Sequence, residues 1–288
     1  MAGFEATLPE LSEAEARGDI AVIYGEIKTF ARVPFVALLY RHLATRDGVL
    51  PWLWPGLRPV LASGTISDAA ERVAETAVLP AFKAISGAEW RSAGLTAADR
   101  STIESVLAAY DRANPINLVI ARLVRAILLG TPQPDQPHMR DSERPMRKVR
   151  PTLAPLPQIL PASAIPPETS AALAALAHYG RPASGALTPS LYRHLAHWPT
   201  YLALLPPRLE PVYRLGAVEK AVARYREAAE AELPGLLAHV LPRLDLARRP
   251  SGAAAGSPVE TLDAFAGLIP EMIAVGRLLH AGLPTERL

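Results

Sequence analysis

The stretch Val33-Pro-Phe-Val-Ala-Leu-Leu-Tyr-Arg-His-Leu-Ala44 has a counterpart in the second half of the chain, Gly185-Ala-Leu-Thr-Pro-Ser-Leu-Tyr-Arg-His-Leu-Ala196. Their last five residues, Tyr-Arg-His-Leu-Ala, are identical at 40–44 and 192–196. Three shorter matches follow in the same order: Pro55–Leu61 with Pro207–Tyr213, Leu79-Pro80 with Leu233-Pro234, and Asn114-Pro115 with Ile269-Pro270. Matches that keep their order and nearly keep their separation predict two copies of one unit. The period is too long for a solenoid, so we predict a pseudo-dimer of two half-domains.

Composition predicts an all-α protein with a sizeable core. Half of the 288 residues are hydrophobic, and Ala, Leu and Arg are abundant while Phe and Tyr are few. This bias favours helix over strand. The absence of cysteine excludes disulfides, thiolate metal sites, a cysteine nucleophile and dithiol redox chemistry.

Charge and hydropathy argue against nucleic acid and membrane as partners. The formal net charge is +2, and the basic residues are scattered apart from 140–150 and the pair Arg248-Arg249. A nucleic-acid surface needs basic residues gathered on one face. The N-terminus lacks the apolar run of a secretory signal, and the most apolar segment, 116–129, is too short to span a bilayer. We therefore expect a cytoplasmic protein.

Helical periodicity and proline positions divide the chain into a first repeat at 1–130, a linker at 131–170 and a second repeat at 171–288. Ten of the 29 prolines lie in the linker, so most of it is excluded from helix. Predicted helices of the first repeat cover about 13–30, 35–44, 50–62, 67–76, a short piece after Leu79-Pro80, 100–112 and 114–130. The segment Thr96-Ala-Ala-Asp99 is predicted to cap the helix at 100–112. In the second repeat they cover about 168–178, 189–196, 199–205, 218–231, 233–246 and 261–281, with a flexible loop at 250–258.

The repeat separates residues that serve the shared fold from residues free to carry function. The Tyr-Arg-His of the repeated stretch is present in both copies and is therefore interpreted as structural. His194 and His197 have a spacing that can hold a metal, but no acidic third ligand is near in sequence. Because His42 has no histidine three residues on, we favour core or surface histidines, and we expect no metal and no cofactor.

Two polar residues differ between the copies or lie in apolar surroundings. Asn114 corresponds to Ile269, so it either carries function or caps the helix that Pro115 opens. Glu271 lies in an apolar segment, where burial would raise its pKa and make it a base. Alternatively, Glu271 is an acid in the first helical turn after Pro270, where the helix dipole favours it.

Several segments resemble the group I 2-haloacid dehalogenases, which act on both D- and L-substrates. The matching segments fall in family order over nearly the whole length: Arg32-Val-Pro-Phe-Val-Ala37, Leu43-Ala44, Tyr110-Asp-Arg-Ala-Asn-Pro115, and Leu195-Ala-His-Trp-Pro199 preceded by Pro182-Ala-Ser184. The resemblance implies two related helical halves joined by a long loop, an active site between them and a homodimer. In the family an aspartate activates a water that attacks the halogen-bearing carbon directly.

The resemblance also assigns positions in the site. Asn114 falls on the asparagine that helps to hold the water, and Ser190 on the serine that holds the substrate carboxylate together with nearby backbone. Phe35 falls on one aromatic wall position, and Leu38 occupies the other. The position of the aspartate is occupied by Leu191, which cannot remove a proton from water.

Three interpretations of this departure remain open. Another group supplies the base, with Glu271 and His194 the nearest candidates; or the pocket does different chemistry on a small carboxylate; or it binds without catalysis or serves structure alone. In each pocket-based case we expect a small organic acid or a neutral apolar molecule between the halves, because a leucine there removes a negative charge that would repel an anion.

Overall fold

The computed structural model describes residues 8–132, 153–160, 162–177, 188–253 and 257–285. These residues form twelve α-helices and no β-strand, which confirms the all-α class. The helices are α1 (Gly18–Ala31), α2 (Leu38–Leu43), α3 (Val49–Ala62), α4 (Thr65–Glu75), α5 (Gly87–Ser92), α6 (Ala97–Leu128), α7 (Pro167–Ala177), α8 (Ser190–Leu195), α9 (Pro199–Ala203), α10 (Pro206–Arg214), α11 (Ala217–Val240) and α12 (Ser257–Ala281). No helix within these ranges is long and apolar enough to cross a membrane.

The two long helices α6 and α12 pack along each other and form the centre of the fold. Helix α11 packs against both of them and against α4. From Leu118 to Leu128 nearly every residue of α6 is buried, as is most of α12 from Ile269 to Leu279. A helix that is apolar on all sides must be surrounded by other elements, so this composition puts α6 in the interior.

Helix α6 is continuous, and the predicted break at Asn114-Pro115 is wrong. It begins at a capping box in which Thr96 and Asp99 exchange hydrogen bonds, as the sequence predicted, but it then runs through Pro115. A proline within a helix removes one backbone hydrogen bond and costs about 3 kcal/mol. Burial of the apolar residues that follow, at roughly 1.5–3 kcal/mol for each large side chain, outweighs that cost.

Other boundaries also differ from the sequence prediction. Helix α11 runs through Pro234 instead of dividing there, α1 begins at Gly18 instead of Glu13, and α10 was not predicted. Residues 77–86 form no helix after Leu79-Pro80. Proline was given too much weight at Pro234 and too little at Pro206, which starts α10 because the first helical turn needs no N–H from it.

The repeated stretch forms the short helices α2 and α8. Tyr40 and His42 are buried in the first copy, and Tyr192 and His194 in the second. The division into two half-domains stays a prediction. Much of the predicted linker, residues 133–152, lies outside the described residues, as do 254–256 of the predicted loop. The rest of that loop contains a 3-10 turn at Ser251–Ala253.

Ion pairs join the sequence halves around the central helices. Arg72 binds Glu232 with two hydrogen bonds of 2.7 and 2.6 Å. On α12, Arg277 donates to Asp111 of α6 at 2.7 Å. These pairs are partly exposed, so each adds only about 0–1 kcal/mol to stability. They fix the register between helices that apolar packing already holds together.

A substitution at Gly56 tests how closely α3 approaches the C-terminal end of α11. A Cβ added there would lie 2.7 Å from Val240 Cγ1 and 3.0 Å from the Val240 carbonyl oxygen. We expect Gly56→Ala to lower the free energy of unfolding by about 1–3 kcal/mol, measured by urea denaturation. Gly25→Ala is the control, because its Cβ would meet nothing within 4 Å and should stabilise α1 by about 0.5–1 kcal/mol. Equal stability of Gly56→Ala and wild type would contradict the close approach.

The buried His194 makes stability depend on pH. Burial lowers its pKa to about 4, opposed by the carbonyl of Pro157 and aided by the charge of His197. Because the unfolded chain takes up the proton near the ordinary pKa of 6.5, stability is complete above pH 6.5 and is lost as the pH falls towards 4. We expect a loss of up to about 3 kcal/mol over that range, and a smaller loss in His194→Gln. Identical pH profiles of the two proteins in urea denaturation would refute this assignment.

Candidate functional site

A cavity of about 60 Å³ lies where α2, α6, α8 and α12 meet. It brings together all five residues predicted to line a pocket: Phe35, Leu38, Asn114, Ser190 and Leu191. The remaining wall is largely apolar and includes Val36, Ala37, Leu39, Ile159, Pro189, Phe265, Leu268, Ile269 and Met272. A single water needs about 10–15 Å³ by this measure, so the space admits a few waters or a small organic molecule.

One face of α6 supplies most of the polar wall. Tyr110, Asn114 and Asn117 follow one another at helical spacing and all line the cavity. Each is at least nine-tenths buried. The Tyr110 hydroxyl and the Asn114 side-chain nitrogen have no hydrogen-bond partner. Asn114 lies in the middle of α6, so the interpretation of it as a helix cap is wrong. A buried donor without a partner costs about 1–3 kcal/mol, which a bound acceptor would recover.

Ser190 and Leu191 open helix α8 on the opposite side of the cavity. Pro189 precedes the helix, and Ser190 is its first residue. Leu191 is 1% exposed and packs over Gly276 of α12, where an added Cβ would lie 3.7 Å from Leu191 Cδ2. An apolar side chain therefore fills the position that the resemblance assigns to a carboxylate.

Glu271 does not line the cavity. It is 5% exposed and accepts a hydrogen bond of 2.6 Å from the hydroxyl of Tyr213, while the adjacent Met272 faces the cavity. The interpretation of Glu271 as an acid in the first turn of a helix is wrong, because α12 begins at Ser257 and continues through Pro270. The structure thus buries Glu271 against Tyr213 and away from the other candidate residues.

Arg41 lines the cavity and was not predicted to do so. Its guanidinium lies 3.1 Å from the Glu10 carboxylate, and its side chain is 13% exposed. It is the one charged side chain among the described residues of the wall. The comparison of the two repeats led us to interpret Arg41 as structural, because Arg193 occupies the same position in α8. The sequence did contain a signal, because Arg41 closely follows the apolar run at 33–39.

His194 lies behind Tyr110 and not in the cavity wall. The rings of His194 and Tyr110 make an edge contact with centroids 5.9 Å apart, and Tyr110 in turn contacts Phe35 at 5.0 Å. The rings of His194 and His197 are 6.3 Å apart. Within the described residues, no group of three or more His, Asp or Glu side chains is arranged to hold a metal.

A second cleft, of about 90 Å³, lies on another side of α6. It is more polar and includes Arg32, Asp111 and Arg277. Arg277 is bonded to Asp111 and to the carbonyl of Ala74. Since Asp111 and Arg277 bind each other, the cleft offers a weaker case for a ligand than the apolar cavity with its unpaired donors.

Comparison with known proteins gives relatives of one kind. No model of a known protein family matches the chain. A configuration-inverting 2-haloacid dehalogenase of Alcaligenes xylosoxydans xylosoxydans is 27% identical over 245 residues, which cover 80% of this chain and 79% of the relative. A second configuration-inverting 2-haloacid dehalogenase, from Pseudomonas sp. (strain 113), is 28% identical over 72 residues, 25% of this chain and 24% of that protein.

Solved structures agree with the sequence relatives. A D-2-haloacid dehalogenase mutant superposes with a TM-score of 0.71 at 18% identity, covering 95% of this chain and 96% of that one. A D-2-haloacid dehalogenase in complex with L-LA gives a TM-score of 0.67 at 20% identity, covering 96% and 95%. At these identities the superposition establishes the fold. Taken with the sequence relatives, it shows that the chain is related to the 2-haloacid dehalogenase family and has its all-helical fold.

Proposed function

We propose that the cavity binds a small organic acid and that the chain does not catalyse hydrolytic dehalogenation by direct attack of water. One observation carries the proposal: the described wall contains a cation, Arg41, and no carboxylate. The relatives are 2-haloacid dehalogenases, so a small acid is the ligand class to which this fold is suited. Binding without hydrolysis is favoured over a purely structural role because two residues of the wall, Tyr110 and Asn114, carry donors without partners.

The charge of the wall favours an anion. Arg41 is mostly buried; one terminal nitrogen pairs with the Glu10 carboxylate at 3.1 Å, and its Nε has no hydrogen-bond partner. Low-dielectric surroundings strengthen the attraction between a guanidinium and a carboxylate. Ser190 offers a hydroxyl on the other side, in the position that the resemblance assigns to carboxylate binding. The apolar walls around Phe35 and Leu38 would hold a short carbon chain.

The chemistry of the wall does not favour hydrolysis. A general base contributes about 10²–10⁴ to a rate, and Leu191 supplies none. His194 is the nearest titratable ring, but burial lowers its pKa to about 4, which makes it a weak base, and Tyr110 separates it from the cavity. Glu271 is bound to Tyr213 outside the wall. Among the residues that the structure describes, a water in the cavity therefore has no group beside it suited to take its proton.

Leu191→Asp tests the proposed loss of hydrolysis. We expect wild type to release no halide above background from D- or L-2-chloropropionate, and the variant to exceed background by roughly 10²-fold or more. Leu191→Asn is the matched control, because it has the same shape as the aspartate and no base. Circular dichroism establishes that each variant is folded.

Halide release by wild type would refute the absence of hydrolysis. The variants Glu271→Gln and His194→Ala would then identify the substitute base. If neither wild type nor Leu191→Asp releases halide while both bind the acid, the site has diverged at more positions than 191.

Arg41→Met tests the proposed binding of an acid. The variant keeps an unbranched apolar side chain and removes the charge. We expect its affinity for propionate, measured by isothermal titration calorimetry, to fall about 10- to 100-fold, the range for a charged hydrogen bond. Arg193→Met is the control: Arg193 occupies the same repeat position, donates to the carbonyl of Leu160 at 3.2 Å and does not line the cavity. Equal losses in both variants, or no binding by wild type, would contradict the proposal.

A further inference from the structure

Among the described residues, three buried tyrosines have hydroxyl groups without a hydrogen-bond partner: Tyr40, Tyr110 and Tyr201. Tyr110 alone among them lines the acid-binding cavity. It is 3% exposed, and its ring is held between Phe35 and His194. A packed ring cannot rotate its hydroxyl away to solvent. Because Tyr110 lines the cavity, a ligand bound there is placed to supply the partner that this hydroxyl lacks.

The Tyr110 hydroxyl keeps its proton at neutral pH and can donate a hydrogen bond. Burial raises its pKa, and the charges of Arg41 and Arg193 offset this only in part. Asn114 lies one helical turn further along α6, and its unpaired atom is the side-chain nitrogen, which also donates. The α6 wall thus presents two donors and requires an acceptor, whereas the methylene chain of a simple fatty acid offers none.

Leu191 lies on the opposite side of the cavity from Asn114 and is apolar. A water bonded to the Asn114 amide would therefore find no acceptor at Leu191. An oxygen that belongs to the ligand satisfies the same amide without needing a carboxylate beside it.

We propose that the ligand is a small 2-oxo acid, whose carboxylate binds Arg41 and whose 2-oxo oxygen accepts hydrogen bonds from the Tyr110 hydroxyl and the Asn114 amide. This inference rests on the proposed function, since it names the class of acid that the same cavity takes. A carbonyl oxygen has two lone pairs and no proton, which matches a wall with two donors. A 2-hydroxy acid would bring an additional donor and need a further acceptor.

The test compares three acids of similar size against four proteins. Pyruvate carries the 2-oxo oxygen, propionate lacks it, and isobutyrate has a methyl group in its place. Affinities are measured by isothermal titration calorimetry for wild type, Tyr110→Phe, Asn114→Leu and Tyr201→Phe. Tyr201→Phe is the matched control, because it removes another fully buried, unpartnered hydroxyl that does not line the cavity.

We expect wild type to bind pyruvate about 10-fold more tightly than propionate or isobutyrate. Tyr110→Phe should weaken pyruvate binding by about 3- to 10-fold, as expected for one hydrogen bond, and leave propionate binding unchanged. Asn114→Leu should act in the same direction, and Tyr201→Phe should change neither affinity. The urea midpoint of Tyr110→Phe should equal or exceed that of wild type, because the change removes an unsatisfied buried hydroxyl.

The outcomes separate this inference from the proposed function. If the three acids bind wild type equally and Tyr110→Phe has no effect, the 2-oxo preference is wrong and acid binding stands. If no acid binds wild type, both are wrong. If Tyr110→Phe is less stable than wild type and loses affinity for all three acids alike, Tyr110 supports the fold and does not recognise the ligand.

Discussion

The contact between α6 and α12 is the constraint on which the rest of the structure depends. Each helix is apolar over most of its C-terminal part, so neither can be exposed to water, and each finds its main partner in the other. Both carry an internal proline, Pro115 and Pro270, and both remain helical through it. The cavity lies where this pair is joined by the short helices α2 and α8. Its position therefore follows from the packing of the core.

The sequence predicted the all-α class, the capping box at the start of α6 and the set of residues that meet at the cavity. The last of these came from the family resemblance, since Asn114 and Ser190 are far apart along the chain. Sequence reasoning failed where burial of neighbouring residues outweighed the local cost of a proline in a helix. Pro115 and Pro234 were taken as helix ends, because the cost of a proline is visible in sequence and the compensating burial of its neighbours is not.

Arg41 illustrates a different limit of prediction from sequence. A residue repeated in two halves was taken to serve the same purpose in both, yet Arg41 lines the cavity and lies beside Glu10, while Arg193 donates to a backbone carbonyl. Identical residues acquire different roles when the surroundings differ. The sequence distinguished Tyr110 only as part of a motif, because nothing in a sequence shows whether the hydroxyl of a tyrosine has a hydrogen-bond partner. Only coordinates reveal which donors lack partners.

Pro115 within α6 has a consequence for how the cavity can change shape. Because proline has no N–H, the carbonyl one turn earlier, that of Asp111, receives no hydrogen bond from it, and bending there breaks none. The turn that lacks this bond runs from Asp111 to Pro115, so Tyr110 precedes it, Asn114 lies within it and Asn117 follows it. A bend in this turn would therefore change the spacing of the three polar side chains, so the width of the cavity is coupled to the geometry of its polar wall.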